Sequence, residues 1–254
     1  MDKAQRKKEE RLKKEELARK RRKQSRIWVW TTVVAAVAII VLAIVFRPQP
    51  EDLNFDYDTM PTIGQADAPV KLVEFGDFKC ITCKFFNDEI YPKLKADFID
   101  TGKMSLSFMN FTIISPQTDS RTAALAAQAV YHQNNDEFWK FYHAVYENQG
   151  AESATWATSD FLVKLAKDKS LKLDFDKLKK DIDDATYKAE VDKHNKIAHD
   201  NNFGGTPTLV LNGKKLSDDQ ALNYNNLKAE IEKALKETQE APAASSATAS
   251  ASAS

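Results

Sequence analysis

The chain has 254 residues, 43% of them apolar and 29% charged, with as many basic as acidic side chains. That is room for one large domain or two small ones of ordinary globular composition. Two cysteines are too few for a disulfide-stapled secreted scaffold, and a chain this long buries a core without staples.

The zero net charge hides a split. Residues 1–26 carry 13 Lys/Arg against 5 Asp/Glu, so the rest of the chain is acidic to the same extent. The run KKEERLKKEELARKRRK suits an exposed helix with i,i+4 charge pairs beside anionic lipid better than a nucleic-acid patch. From Ile27 to Phe46 no residue is charged. Twenty helical residues rise about 30 Å, the thickness of a bilayer's hydrocarbon core. Trp28 and Trp30 suit the headgroup level, and the basic flank before the span places the N-terminus in the cytoplasm. No A-x-A-like site follows, so an uncleaved signal anchor in the plasma membrane is expected, with the body of the chain outside. Residues 47–61, opening on Pro48 and Pro50, read as a tether.

Residues 70–78 are apolar and β-branched and read as a buried strand. Residues 80–101 carry helical periodicity through Phe85, Phe86, Ile90, Leu94 and Phe98, kinked by Pro92 and ended by Gly102. Residues 103–113 read as a second strand. A helical block follows, with two helices around Asn134-Asn135 and shorter ones at 159–168, 175–184 and 187–200. The aromatic stripe Phe138, Trp139, Tyr142, Tyr146 reads as core. Asn212-Gly213 marks a hairpin. Residues 224–238 form an amphipathic helix, and 239–254 an Ala/Ser tail with nothing to bury.

Cys80 and Cys83 lie at the junction of the first strand and its helix. Cys80 then sits at the helix start, where unpaired N–H groups favour a thiolate and lower its pKa. Lys79, Lys84 and the Thr82 hydroxyl are candidate helpers. A low pKa makes Cys80 the sulfur that exchanges with substrate, and Cys83 the one that resolves the mixed disulfide. Two other readings compete. Zinc lacks ligands, since one CxxC supplies two of four and His194 and His199 do not share a helix face. A structural disulfide this short removes little chain entropy. The acidic groups Asp181/Asp183/Asp184 and Asp218/Asp219 lack calcium-loop spacing and read as solvated faces. Glu74 alternates with Val70 and Leu72, so it shares an apolar strand face, where burial raises a carboxyl pKa. It is a candidate proton acceptor for Cys83, or else a salt-bridged structural glutamate.

The stretch IGQADAPVKLVEFGDFKCITC, the helical block and GGTPTLVLNG together resemble the DsbA-like branch of the thioredoxin superfamily, especially the membrane-anchored oxidases of Gram-positive bacteria. The resemblance covers about residues 62–236. It implies an α/β fold with an α+β sheet core. That is a thioredoxin fold at 62–238 with a helical insertion at about 118–202, preceded by the transmembrane helix. It implies Cys80 as nucleophile, Cys83 as resolving residue and Pro207 as a cis-proline. Thr206 would pair with extended substrate peptides, next to Ile81 and Thr82. It implies no cofactor beyond the Cys80/Cys83 pair, unfolded or exported thiol proteins as substrates, and a quinone-coupled membrane partner that reoxidises the pair. No nucleic acid is implied. DsbA-like oxidases often carry proline and histidine between the cysteines. Here Ile81-Thr82 stands in their place, so a reductase, an isomerase or a peptide-binding module are the alternatives to an oxidase.

Overall fold

The computed structural model describes residues 52–249, with side chains to residue 240, and Trp28, Trp30, Thr32, Val33, Ala36 and Val37 ahead of them. Residues 1–51 and 52–254 form separate compact units. The six described residues of the first unit are helical and exposed. The rest of the expected arm and membrane span lies outside the described residues. Among the described residues no helix is long and apolar enough to cross a membrane.

The second unit is built on a five-stranded sheet of order β1-β3-β2-β4-β5. Its strands are β1 (Thr62–Ile63), β2 (Val70–Gly76), β3 (Met104–Asn110), β4 (Thr208–Leu211) and β5 (Lys214–Lys215). β2 and β3 run parallel, and the other neighbours are antiparallel. Six of the seven residues of β2 are buried, which is why it reads as a nearly continuous apolar run. The two-residue period of a strand sorts its side chains. Val70 and Leu72 join Leu106, Phe108, Leu209 and Leu211 in the main core. Val73 and Phe75 join Met109, Val210, Phe203, Phe55 and Met60 on the other face. Glu74 pairs with Phe108 and Leu209 across its neighbours, so it falls on the main-core side.

The segment after β2 is a mixed rod. α1 (Ile81–Phe85) and α2 (Tyr91–Leu94) are α-helical, and Phe86–Ile90 and Lys95–Ile99 are π-helical turns. Phe86, Ile90, Leu94 and Phe98 are buried as the periodicity requires, whereas Phe85 is exposed. The expected kink at Pro92 takes the form of a π turn. The Tyr91 N–H reaches back to Phe86 O, and Pro92, with no N–H, follows at once. Such turns absorb a break in the hydrogen-bond ladder. Gly102, at φ 71°, closes the rod.

Between β3 and β4 lie α3 (Asp119–Tyr131), α4 (Asn135–Glu147), α5 (Ser159–Asp168), α6 (Phe175–Asp183) and α7 (Lys188–Asp200). Asn134 caps α4 by accepting from the Asp136 and Glu137 amides, as its residue type favours. The aromatic stripe of α4 packs into the main core under β2 and β3. β4 and β5 form the expected hairpin, with Asn212 and Gly213 both at positive φ. α8 (Asp218–Leu222) opens on a Ser217–Gln220 capping box, so Asp218 and Asp219 stand in a helix first turn. α9 (Tyr224–Ala249) covers the main core with Leu227, Ile231 and Ala234.

Two boundaries differ from expectation. The segment read as a tether is packed from Leu53 onward: the Leu53 N–H donates to Gly213 O at 2.8 Å, and Phe55 and Met60 are buried. Their apolar side chains share the second sheet face with Ala198 and Ile197 of the helical block and with Phe203. The last helix runs to Ala249 and not to 238.

Gly76 ends β2 against the core. A Cβ there would stand 2.5 Å from the Phe108 ring and 3.0 Å from Glu74 Oε1. Gly76→Ala should therefore destabilise the fold by about 1–3 kcal/mol, read as a lower denaturant midpoint at unchanged m value.

Candidate active site

Cys80 is the residue at which extended backbone becomes helix, with φ −75° and ψ 124° ahead of α1. Its position is set by a short buried turn. The Cys80 N–H donates to Asp77 O at 2.9 Å. The Asp77 carboxylate accepts from Lys79 N and, from the loop after β3, from Ile113 N and Ile114 N, each at 2.9 Å. Burial raises the Asp77 pKa against these bonds.

The four amides that open α1 all have partners. Thr82 N and Cys83 N face the Cys80 sulfur, Lys84 N bonds Cys80 O at 3.2 Å, and Ile81 N donates to Glu152 Oε1 at 2.9 Å. Both cysteines are free and buried. The hydrogen bond from the Cys83 thiol is the main influence that lowers Cys80, from the ordinary 9.0 to about 6. Burial opposes it, and the Thr82 and Cys83 amides assist. Cys83 moves the other way, well above the ordinary thiol range. It is wholly buried, its proton is engaged by Cys80, and Glu74 lies near. The two sulfurs are thus differentiated: one holds a thiolate at neutral pH, the other holds the proton.

The Thr206-Pro207 peptide is cis, as the resemblance implied. It brings Thr206 O to 3.2 Å from Cys80 Sγ. Thr82, Gly204, Gly205, Thr206, Pro207 and Thr208 line a cleft of about 380 Å³ that opens beside the sulfur and is closed by Lys215, Asp218 and Leu222. Ile81, next to Thr82 in the chain, is 59% exposed. The structure therefore brings together all the predicted positions: Cys80, Cys83, Ile81, Thr82, Thr206, Pro207 and Glu74.

Three of the smaller expectations are corrected. Lys79 is buried and paired with Asp119 at 3.3 Å. Lys84 is paired with Asp88 one turn along. The Thr82 contribution to the sulfur is its amide and not its hydroxyl. Among the described residues no cluster of His, Cys, Asp or Glu has the arrangement of a metal site. Asp181 is largely buried, held by Lys177 and Thr186.

The sequence matches the thioredoxin family model over residues 56–251. The chain is 38% identical over 182 residues to a probable disulfide bond formation protein D of Bacillus cereus, covering 72% of this chain and 82% of that one. It is also 38% identical over 176 residues to disulfide bond formation protein D of Bacillus subtilis, covering 69% and 77%. The chain belongs to the DsbA-like branch of the thioredoxin family. The crystal structure of oxidised BdbD from Bacillus subtilis superposes with a TM-score of 0.68 at 36% identity, over 73% of this chain and 97% of that one. A DsbA of Chlamydia trachomatis shares the fold, with a TM-score of 0.63 at 23% identity.

Several residues at the site carry no sequence signal of their own. Tyr142, within the aromatic stripe, donates its hydroxyl to Glu74 Oε2 at 2.6 Å. Gln149 donates to Phe78 O at 2.9 Å and Cys80 O at 3.1 Å. Alternation alone places Glu74 inward, and it is fully buried without a salt bridge. Glu74 Oε1 has no hydrogen-bond partner. Burial is the main cause that raises its pKa from 4.5 to about 8, against the Tyr142 bond, with the Cys80 charge adding to the rise.

Glu74 therefore keeps its proton in the fold at pH values where the unfolded chain has lost it. Stability from this group is lost as pH rises from 4.5 to 8, a cost on the order of 3 kcal/mol at pH 7. Glu74→Gln should raise the stability of the reduced protein at pH 8, and the gain should shrink towards pH 4. Urea unfolding across that range checks the sign.

Proposed function

We propose that this protein introduces disulfide bonds into exported proteins by thiol–disulfide exchange at Cys80. The observation that carries the reading is the placement of the two sulfurs. Cys80 Sγ lies 3.2 Å from the carbonyl oxygen of Thr206, which lines the cleft together with cis-Pro207. Cys83 lies one helical turn deeper, wholly buried. A substrate thiolate attacks Cys80 Sγ of the oxidised pair, the Cys80–Cys83 bond breaks, and Cys83 leaves with the electron pair and takes up a proton. Glu74, protonated at neutral pH, is the proton donor here and the acceptor when Cys83 attacks in the reverse direction. A second substrate thiolate then attacks the substrate sulfur of the mixed disulfide, and Cys80 departs as a thiolate. Thr206, Ile81 and Thr82 hold the extended peptide along the cleft.

The low Cys80 pKa favours the oxidase direction. Holding the reduced form as a thiolate stabilises it relative to the disulfide and makes the pair more oxidising. This supports an oxidase even without a histidine at Thr82. Names of the Bacillus relatives point the same way.

The uncharged stretch 27–46 and its basic flank support a plasma-membrane anchor with the catalytic unit outside. There the lipid bilayer and a quinone-coupled membrane protein that reoxidises the pair are the partners. Labelling of intact cells with a membrane-impermeant thiol reagent checks this placement: Cys80 should react from outside.

Four outcomes test the chemistry. Thiolate absorbance of the reduced protein should titrate near pH 6. A reduction potential near that of cytosolic reductants would overturn the oxidase direction. Cys83→Ala should trap exported thiol proteins on Cys80, and Glu74→Gln should slow resolution of mixed disulfides about 10²-fold at neutral pH, the ordinary scale of general acid–base catalysis.

A further inference from the structure

We propose that Glu152 is a positioning residue that sets the oxidising strength of the Cys80/Cys83 pair. This rests on the exchange reading above and goes beyond it, since Glu152 has no part in the exchange itself. The row of amides opening α1 is divided between two anionic groups. Ile81 N donates to the Glu152 carboxylate at 2.9 Å, and the next two amides, Thr82 N and Cys83 N, face the Cys80 sulfur. Carboxylate and thiolate are thus neighbours on consecutive N–H groups. The nearby lysines do not offset this charge, because Lys79 is held by Asp119 and Lys84 by Asp88.

Glu152 is exposed, but its loop is fastened to the active-site turn on both sides. Ahead of it, the Gln149 amide donates to Phe78 O and Cys80 O. Behind it, Asp119 Oδ2 accepts from Trp156 N at 2.7 Å and Ala157 N at 3.2 Å, and the same carboxylate binds Lys79, the residue before Cys80. The turn between is tight. A Cβ on Gly150 would lie 2.7 Å from the Trp156 ring. A carboxylate carried on so constrained a loop is placed on Ile81 N by the fold.

The consequence has a definite sign. In the reduced protein the Cys80 thiolate and the Glu152 carboxylate repel each other, and the carboxylate withholds one amide. In the oxidised protein Cys80 has no charge and the carboxylate keeps its amide without opposition. Glu152 therefore favours the disulfide over the dithiol and moderates the pair's oxidising power. This is a second control on the potential, outside the CxxC dipeptide.

The experiment is equilibration of the full chain with reduced and oxidised glutathione, where two glutathione thiols and the protein disulfide exchange for glutathione disulfide and the protein dithiol. Glu152→Gln keeps an acceptor for Ile81 N and removes the charge. It should shift the equilibrium about threefold towards the dithiol and lower the Cys80 pKa by about half a unit, and both shifts should shrink at high salt. Glu152→Asp should lie nearer to wild type. An unchanged equilibrium and pKa in Glu152→Gln, or a shift towards the disulfide, would overturn the proposal. So would equal destabilisation of both redox forms at an unchanged potential, which marks a purely structural cap. Failure of the exchange reading is distinct: the wild-type chain would then form no Cys80–Cys83 disulfide in the same buffer.

Discussion

One hydrogen bond organises the site: the Cys83 thiol donates to Cys80, so that a single proton serves two sulfurs. The bond exists because β2 stops at Gly76, the Asp77 turn delivers Cys80 to the first position of α1, and Cys83 follows one turn later on the same side. The same bond moves the two thiols in opposite directions. Shallow placement beside the cis peptide leaves the ionised sulfur able to meet a substrate. Deep placement leaves the protonated one able to break a mixed disulfide from within.

The helical block does more than enlarge the domain. Through α4 it carries Tyr142 onto the carboxyl of Glu74, beneath the sulfurs, and packs the aromatic ring against Phe78 and Phe108. Through α3 it carries Asp119, which binds Lys79 and the backbone of the loop after α4. Buried charges need partners, and each of these is tied to the turn that presents Cys80. The insertion thus fastens the turn that presents Cys80 through residues outside the cleft lining.

The buried Glu74 is a local cost in this design. An apolar residue at the same place would fill the main core at no electrostatic penalty, yet the strand spends an inward position on a carboxyl with one oxygen unpartnered. Under the proposed exchange, that carboxyl is the proton partner of Cys83, whose pKa burial and the nearby Glu74 both raise.

Much of this was legible in the chain itself. Strand period, helix period and the Asn212-Gly213 turn located the sheet, the helical block and the hairpin. The CxxC at a strand–helix junction, Glu74 by alternation and Thr206-Pro207 marked the site. Local patterns suffice there because neighbours in the chain decide the geometry. Tyr142 on Glu74, Asp77 across to Ile113, Asp119 on Lys79 and Glu152 on Ile81 join residues 36 to 71 positions apart. No periodicity encodes such pairs, and only the folded chain brings them together. The packing of Leu53, Phe55 and Met60 belongs with them, because a proline-led segment reads as a linker until the folded sheet offers it an apolar face. Sequence alone determined that two sulfurs would meet at the start of a helix. The tertiary structure decided which of them holds the proton, because burial depth and partners from distant elements set each pKa.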